Sequence, residues 1–337
     1  NGLNPLIKQI NDMGMDFGIW VEPEMVNPNS DLYRAHPDWI LHFPNRPITL
    51  GRNAAMLNLA REDVYQYLYN SLSSLLREHN IKYLKWDMNK PLAESGWPSA
   101  PKKKQREARI RYVENLYRLI DTLRKEFPHV LFEICASGGG RVDLGMLSRM
   151  DIVWPSDNID PLDRIRIQYG YLSAFPANSM VSWTGDANRH FIKYPLEFHF
   201  DVAMSGVLGI GNDITKWGDS ELKIAKDKIA LYKEIRSLIS TGTLYRLVSP
   251  FDSERAVLEY VSVDQQEAVL FCYNISEKVV GANYGKDRIC FRGLKRDCIY
   301  QIVGSEQKYS GDYLMEIGIP YTLKGICKSQ IIHVKAQ

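Results

Sequence analysis

Five short stretches place carboxylates, tryptophans and hydroxyl or amide side chains where apolar runs end. They are Trp20 with Glu22-Pro23-Glu24, Lys85-Trp86-Asp87-Met88-Asn89, Glu133 to Arg141, Trp154-Pro155-Ser156-Asp157-Asn158, and Trp183-Thr184-Gly185-Asp186. Lys85 and Asp87 stand two apart on an expected strand, so both side chains leave the same face. There the ammonium would hold Asp87 ionised at neutral pH and could donate to a substrate hydroxyl, which suits Asp87 to be a nucleophile; a structural ion pair uses the same spacing. Asp157 follows Trp154 and Pro155, an apolar setting that favours a protonated carboxyl, and an ionised Asp87 nearby would push the same way. A helix N-cap or an Asx turn is the other reading of Asp157. Two carboxyls with separated proton affinities are what glycoside hydrolysis requires, one as nucleophile and one as acid and then base.

The remaining polar clusters narrow the chemistry. Gly138-Gly139-Gly140-Arg141 fails the dinucleotide pattern because Asp143 stands where a third glycine belongs, and no GxxxxGK[ST] occurs. The glycines read better as backbone brought close to a ligand, with bare amides available to its hydroxyls. Trp20, Trp154 and Trp183 would give flat walls for a sugar ring, although a lone tryptophan serves a core as readily. Cys135 has no plausible base nearby in sequence and lines a pocket at most. His36 and His42 flank Asp38 without metal-ligand spacing, and surface or capping roles fit them.

These residues need a scaffold that brings distant strand ends together. Leu6 to Met13 reads as a short helix, Met15 to Val21 as a strand, Leu57 and Leu59 as part of an extended segment, and Asp63 to Arg77 as an amphipathic helix. A strand over Ile81 to Asp87 follows, then a long helix from the Pro101-Lys102-Lys103-Lys104 segment to Phe127, and strands at Val130 to Cys135, Asp151 to Asp157 and Ser179 to Trp183. Apolar pieces at Val207 to Ile210 precede a helix over Asp219 to Ser240. Strand-then-helix alternation of this length predicts parallel strands with crossover helices, in a barrel or a doubly wound sheet. After Gly242 the pattern changes to short β-branched and aromatic runs at Val257 to Val263, Ala268 to Tyr273, Cys298 to Val303 and Gln330 to Val334, which predict a small antiparallel β domain.

Composition agrees with a globular chain. Of 337 residues 45% are hydrophobic, and 42 Lys+Arg against 40 Asp+Glu leave a net charge of +2, too little to steer the protein to nucleic acid or an anionic membrane. No apolar run approaches the roughly 18 residues needed to span a bilayer. Five cysteines without CxxC spacing indicate neither a disulfide framework nor a zinc site. The opening residues lack an initiator Met and read as the middle of a domain.

The motifs Trp20-Val21-Glu22-Pro23-Glu24-Met25, Lys85-Trp86-Asp87-Met88-Asn89, Cys135-Ala136-Ser137-Gly138-Gly139-Gly140-Arg141-Val142-Asp143 and Trp154-Pro155-Ser156-Asp157-Asn158 resemble, in order and spacing, the family 36 glycoside hydrolases, chiefly the bacterial α-galactosidases. The stretch Asp31 to Trp39 adds to the resemblance, which covers nearly the whole chain. It implies an α/β fold: a TIM-type (β/α)8 catalytic barrel over residues 1–241, lacking its first strand, and an antiparallel β-sandwich domain over 242–337. It also implies a retaining α-galactosidase acting on melibiose or raffinose by double displacement, with Asp87 as nucleophile and Asp157 as general acid/base, and hence carboxyls about 5–5.5 Å apart. By the same resemblance Trp20, Arg52, Lys85, Asn89, Cys135, Ser137, Gly138 and Trp154 bind the terminal galactose. Cys135 and Gly138 then lie near its 2-hydroxyl and disfavour an N-acetyl group there. No cofactor, metal, nucleic acid or membrane is implied; the partner is a small galactoside, with homo-oligomerisation of the full-length protein and its compartment left open, the cytoplasm being favoured.

Three departures stand beside the resemblance. Members usually carry a large β domain ahead of the barrel and a first barrel strand ending in paired aspartates, neither of which is in this sequence. Asn58, in Leu57-Asn58-Leu59, stands where an Asp is usual, which would loosen support of the site. A barrel short of a strand leaves unpaired edges. The whole protein is therefore expected to be active and this segment weak or inactive. Galactosyl transfer, as in raffinose and stachyose synthases, and a non-catalytic galactoside-binding fragment are the competing readings.

Overall fold

Parallel strands whose flanks are covered by amphipathic helices organise the first of two compact units, Asn1–Pro155, in the computed structural model, which describes residues 2–185, 194–276, 288–321, 323 and 325–337. Helix α1 (Asn4–Asp12) starts with Pro5 in its first turn, where the missing N–H costs nothing, and leads into β1 (Phe17–Val21). A short antiparallel ladder joins β2 (Met25–Val26) to β3 (Ala55–Met56), with α2 (Asp31–Ala35) between them. Helix α3 (Glu62–Glu78) buries the stripe Val64, Leu68, Leu72 and Leu76, and carries Glu62 and Asp63 in its first turn and Arg77 in its last, as the helix dipole favours. It feeds β4 (Ile81–Trp86); α4 (Ala108–Glu126) then buries Tyr112, Leu116, Leu119 and Leu123 and feeds β5 (Leu131–Ile134). The short α5 (Leu144–Leu147), capped by Asp143, precedes β6 (Ile152–Val153).

The sheet order is β1-β4-β5-β6, all parallel. Leu84, Trp86, Phe132 and Ile134 are fully buried, while the alternate positions Tyr83, Lys85 and Glu133 leave the other face. The expected strand over Asp151 to Asp157 is reduced to two residues. Trp154 still donates its amide to Ile134 (3.0 Å), but Pro155 has no N–H to extend the ladder.

In the second unit, Ser156–Gln337, the carboxylate of Asp160 accepts the Leu162 and Asp163 amides and starts α6 (Pro161–Tyr171). Strand β7 (Val181–Thr184) lies parallel to β8 (Val207–Ile210), with α7 (Leu196–Ala203) between them in sequence and α8 (Asp219–Thr241) after them. Neither α6 nor α7 was legible as a helix. All six residues from Phe198 to Ala203 are buried, His199 and Asp201 among them, so polarity does not mark a solvent face that would reveal the period of α7.

The remaining strands are β9 (Thr243–Val248), β10 (Arg255–Val261), β11 (Glu267–Asn274), β12 (Arg288–Ile289), β13 (Ile299–Ile302), β14 (Lys308–Ser310), β15 (Ile319–Pro320) and β16 (Lys328–Ala336), with α9 (Gly311–Glu316) between β14 and β15. They form a six-stranded antiparallel sheet in the order β14-β13-β16-β11-β10-β9 and a two-stranded ladder of β12 with β15. Val257, Leu270, Phe291, Leu314, Ile319 and Ile332 share one apolar core beneath them. Among the described residues no helix is long and apolar enough to cross a membrane. Asp186, singled out in the sequence, lies outside the described residues.

Candidate active site

Asp87, Cys135 and Trp154 each sit one residue past the carboxyl end of a parallel strand, and the last ladder bond holds each there. The Asp87 amide donates to Val21 (2.9 Å), the Cys135 amide to Trp86 (2.8 Å) and the Trp154 amide to Ile134 (3.0 Å). The register sets Trp20 beside Lys85 and Lys85 beside Glu133, so three adjacent strands send these side chains to one face.

Asp87 is buried and takes several hydrogen bonds. Its Oδ2 accepts from Trp20 Nε1 (3.1 Å) and Asn89 Nδ2 (2.6 Å), its Oδ1 accepts from the Met88 amide (2.8 Å), and the Cys135 thiol donates to the same carboxylate. Burial pushes the carboxyl up, but the donors from Cys135, Asn89, Trp20 and Met88 together outweigh it and hold Asp87 below the usual carboxylate range. Lys85, expected to help hold Asp87 ionised, has its ammonium paired with Glu133 Oε1 at 2.7 Å and 4.6 Å over the Trp154 ring; the groups that do most to lower Asp87 are neutral donors.

Asn89 is oriented by its neighbours. Ser137 Oγ donates to Asn89 Oδ1 (3.0 Å), which turns Nδ2 toward Asp87 and Glu22 Oε1 (2.7 Å), and Glu22 also accepts the Asn89 amide (2.9 Å). Ser137 stands at φ +49° and Gly138 at φ +82°, a turn closed by the Ala136 amide on the Gly138 carbonyl (2.8 Å). Burial pushes the Cys135 thiol up to about 12, against a backbone donor at Gly138 that works the other way. The thiol is therefore a proton donor at neutral pH, not a nucleophile.

The reading of all three glycines as ligand-facing backbone is also corrected. A Cβ at Gly139 would fall 2.6 Å from the Pro155 carbonyl oxygen, and one at Gly140 2.6 Å from that of Ala136, so protein backbone fills that space. Trp154 is buried, whereas Trp20 is half exposed beside Asp87. Arg52 is exposed on a two-residue turn, Gly51 to Ala54, where it and Asn53 have φ of +48° and +61°, the type I′ geometry.

Asp157 belongs to the second unit and is exposed. The capping role considered for Asp157 falls to Asp160. Around Asp157 the chain is held by the Asn158 amide on Ser156 Oγ (3.1 Å) and by Asn158 Nδ2 on Asp163 (2.7 Å). The buried Arg164, whose guanidinium burial pulls down to about 9, donates to the Ser156 carbonyl (3.3 Å) and to that of Val181 (2.8 Å).

Several supporting roles escaped the sequence reading. Glu24 is fully buried and accepts from Trp86 Nε1 (2.7 Å), from Arg141 Nη1 (2.7 Å) and from the Tyr112 hydroxyl, tying the segment after β1 to β4, α4 and the end of the glycine run. Tyr83 donates to Glu133 Oε2. A signal for this second cluster was available: Tyr83 and Lys85 alternate onto one face of a strand whose opposite face carries Leu84 and Trp86. Asn58 is fully buried, and neither polar atom of its amide finds a hydrogen-bond partner among the described residues. No group of three or more His, Cys, Asp or Glu among the described residues is placed to hold a metal ion.

Comparison with known proteins was consistent across the chain. A family model described as melibiase matches residues 1–242, and one described as the glycosyl hydrolase family 36 C-terminal domain matches residues 255–334. The chain is 43% identical to α-galactosidase AgaA of Geobacillus stearothermophilus, over 95% of its own length and 44% of that protein's. To α-galactosidase 1 of Pediococcus pentosaceus it is 37% identical, over 94% of its length and 43% of that protein's. A structure of a Geobacillus AgaA variant in complex with raffinose matches with a TM-score of 0.95 at 41% identity, covering all of this chain and 47% of that one. The α-galactosidase of Lactobacillus brevis matches with a TM-score of 0.94 at 35% identity, covering all of this chain and 46% of that one. The chain thus spans less than half the length of these relatives. Its fold is theirs, a TIM-type barrel segment followed by an antiparallel β domain.

Proposed function

This chain belongs to the family 36 glycoside hydrolases, and from that premise we propose that the whole protein is a retaining α-galactosidase acting on galactosides of the melibiose and raffinose type. The observation that carries the reading is the hydrogen-bonding of Asp87: a buried carboxylate kept ionised by neutral donors at the end of a parallel strand is suited to attack an electrophilic carbon. In the proposed reaction Asp87 attacks the anomeric carbon and forms a glycosyl ester while protonated Asp157 gives its proton to the departing oxygen. Asp157 then takes a proton from water, whose oxygen displaces Asp87 and releases galactose in the α configuration.

Trp20, Asn89, Cys135, Ser137, Gly138 and Trp154 lie around or beside Asp87 in this scheme, and Lys85 and Arg52 supply cationic donors for sugar hydroxyls. Two details support the substrate class. The Trp20 ring is half exposed next to the carboxylate, as a wall for a sugar face requires, and variants of the related AgaA were crystallised with raffinose and with stachyose. We assign catalysis to residues 1–241 and an accessory role to the β domain over 242–337.

The test is release of the aryl alcohol from an aryl α-galactoside by the protein expressed from its complete coding sequence. Asp87→Asn is expected to lower turnover by about 10⁴-fold or more, the scale for loss of a nucleophile, with the melting temperature little changed. Full activity in that variant would remove Asp87 from the mechanism, and a β-configured first product in an NMR time course would exclude retention.

A further inference from the structure

We propose that Glu133 is a positioning residue: it acts through Lys85, fixing the ammonium in place for the hydroxyl of a bound galactoside. The inference rests on the α-galactosidase reading and extends it to a residue that touches neither the substrate nor the nucleophile.

Glu133 has no exposed surface, and an ionised carboxylate in such a place needs its oxygens occupied. Both are: Oε1 accepts from Lys85 Nζ at 2.7 Å, and Oε2 accepts from the Tyr83 hydroxyl. Burial pushes the Tyr83 phenol far up and the adjacent Glu133 adds to this, so Tyr83 stays a neutral donor throughout the working pH range. The register places Lys85 directly beside Glu133 on the neighbouring strand, and Tyr83, Lys85 and Glu133 share a face, so the arrangement is set by two rigid strands rather than by a loop.

The consequence lies in the direction of the ammonium. A lysine head on a four-carbon stem rotates freely and carries three donors. Glu133 commits one of them, and the Trp154 ring 4.6 Å away bounds the head on another side, so the remaining donors acquire a fixed direction. Loss of the Glu133 charge would free the head to turn and leave its charge uncompensated.

The test is a double-mutant cycle on kcat/KM for an aryl α-galactoside, in the protein from its complete coding sequence, with wild type, Glu133→Gln, Lys85→Met and the double variant. Glu133→Gln is expected to lower kcat/KM by about ten- to a hundredfold, the range of a lost charge-assisted hydrogen bond, chiefly through KM. In the Lys85→Met background the same substitution should cost no more than about twofold, because the residue through which it acts is gone. Losses that multiply, or a Glu133→Gln protein with wild-type kinetics, would overturn the proposal. If Glu133→Gln does not fold, Tyr83→Phe carries the same cycle, since it removes only the hydroxyl that holds the other oxygen, and its loss too must vanish once Lys85 is Met. Wild-type protein without turnover overturns the α-galactosidase reading together with this inference, whereas active wild type with multiplying losses overturns this inference alone.

Discussion

At the scale of single residues, Asp87 is distinguished by how its charge is kept. A carboxyl lowered by hydrogen bonds from Cys135, Asn89, Trp20 and the Met88 amide stays ionised to lower pH than one left to burial alone. It also contributes stability that is present above its unfolded value and is lost as pH falls through the lowered folded value. Asn89→Ala removes a 2.6 Å donor, so the acid limb of kcat/KM should move up. A limb that stays where it was in wild type would mean that these donors do not set the ionisation. Asp87, Asn89, Cys135 and Trp154 were legible because residues just past a buried apolar run must emerge at a strand end. The partner of Lys85 was not, because Glu133 lies 48 residues away and is met only through strand register. Nor was the exposure of Asp157 legible, since a neighbouring Trp and Pro say nothing of which way the chain turns after them.

At the scale of elements, the glycine run is a packing device. Gly139→Ala would set a methyl 2.6 Å from the Pro155 carbonyl oxygen, and a backbone oxygen cannot rotate away; chemical denaturation should show a loss of about 1–3 kcal/mol. Stability equal to wild type would show that the turn relaxes freely. The β domain carries a different strain. Glu259 on β10 is fully buried among Val257, Val261 and Leu270, accepts the Arg292 amide at 2.8 Å, and is pushed up by burial to about 8. Its folded value exceeds its unfolded one, so the folded state holds an extra proton between about pH 4.5 and 8. Stability from this group is complete below that window and declines across it by about 1.4 kcal/mol per pH unit. Glu259→Gln should therefore flatten the fall in melting temperature between pH 5 and 8, and an unchanged slope would refute the assignment. Helices α3 and α4 and strands β10 and β11 were readable from period and β-branching, but α7 was not, because its polar His199 and Asp201 are buried together with its apolar residues and polarity no longer marks a solvent face.

At the scale of the whole molecule, parallel-strand alternation was readable as far as a choice between barrel and doubly wound sheet, and four ordered motifs narrowed it to one family. The family models at residues 1–242 and 255–334 and the match to solved α-galactosidases bear out that family and its fold. The two compact units divide in sequence between Pro155 and Ser156, so Asp87 belongs to the first and Asp157 to the second, a division that composition and periodicity gave no reason to expect. The central claim is that Asp87 carries the galactosyl group between the two half-reactions. Incubating the protein with a slow fluorinated galactoside and mapping the labelled peptide by mass spectrometry tests it most directly. The account predicts a mass increase of one fluorogalactosyl group on the peptide holding Asp87; a label on any other side chain, or full turnover with no covalent species formed, would contradict it.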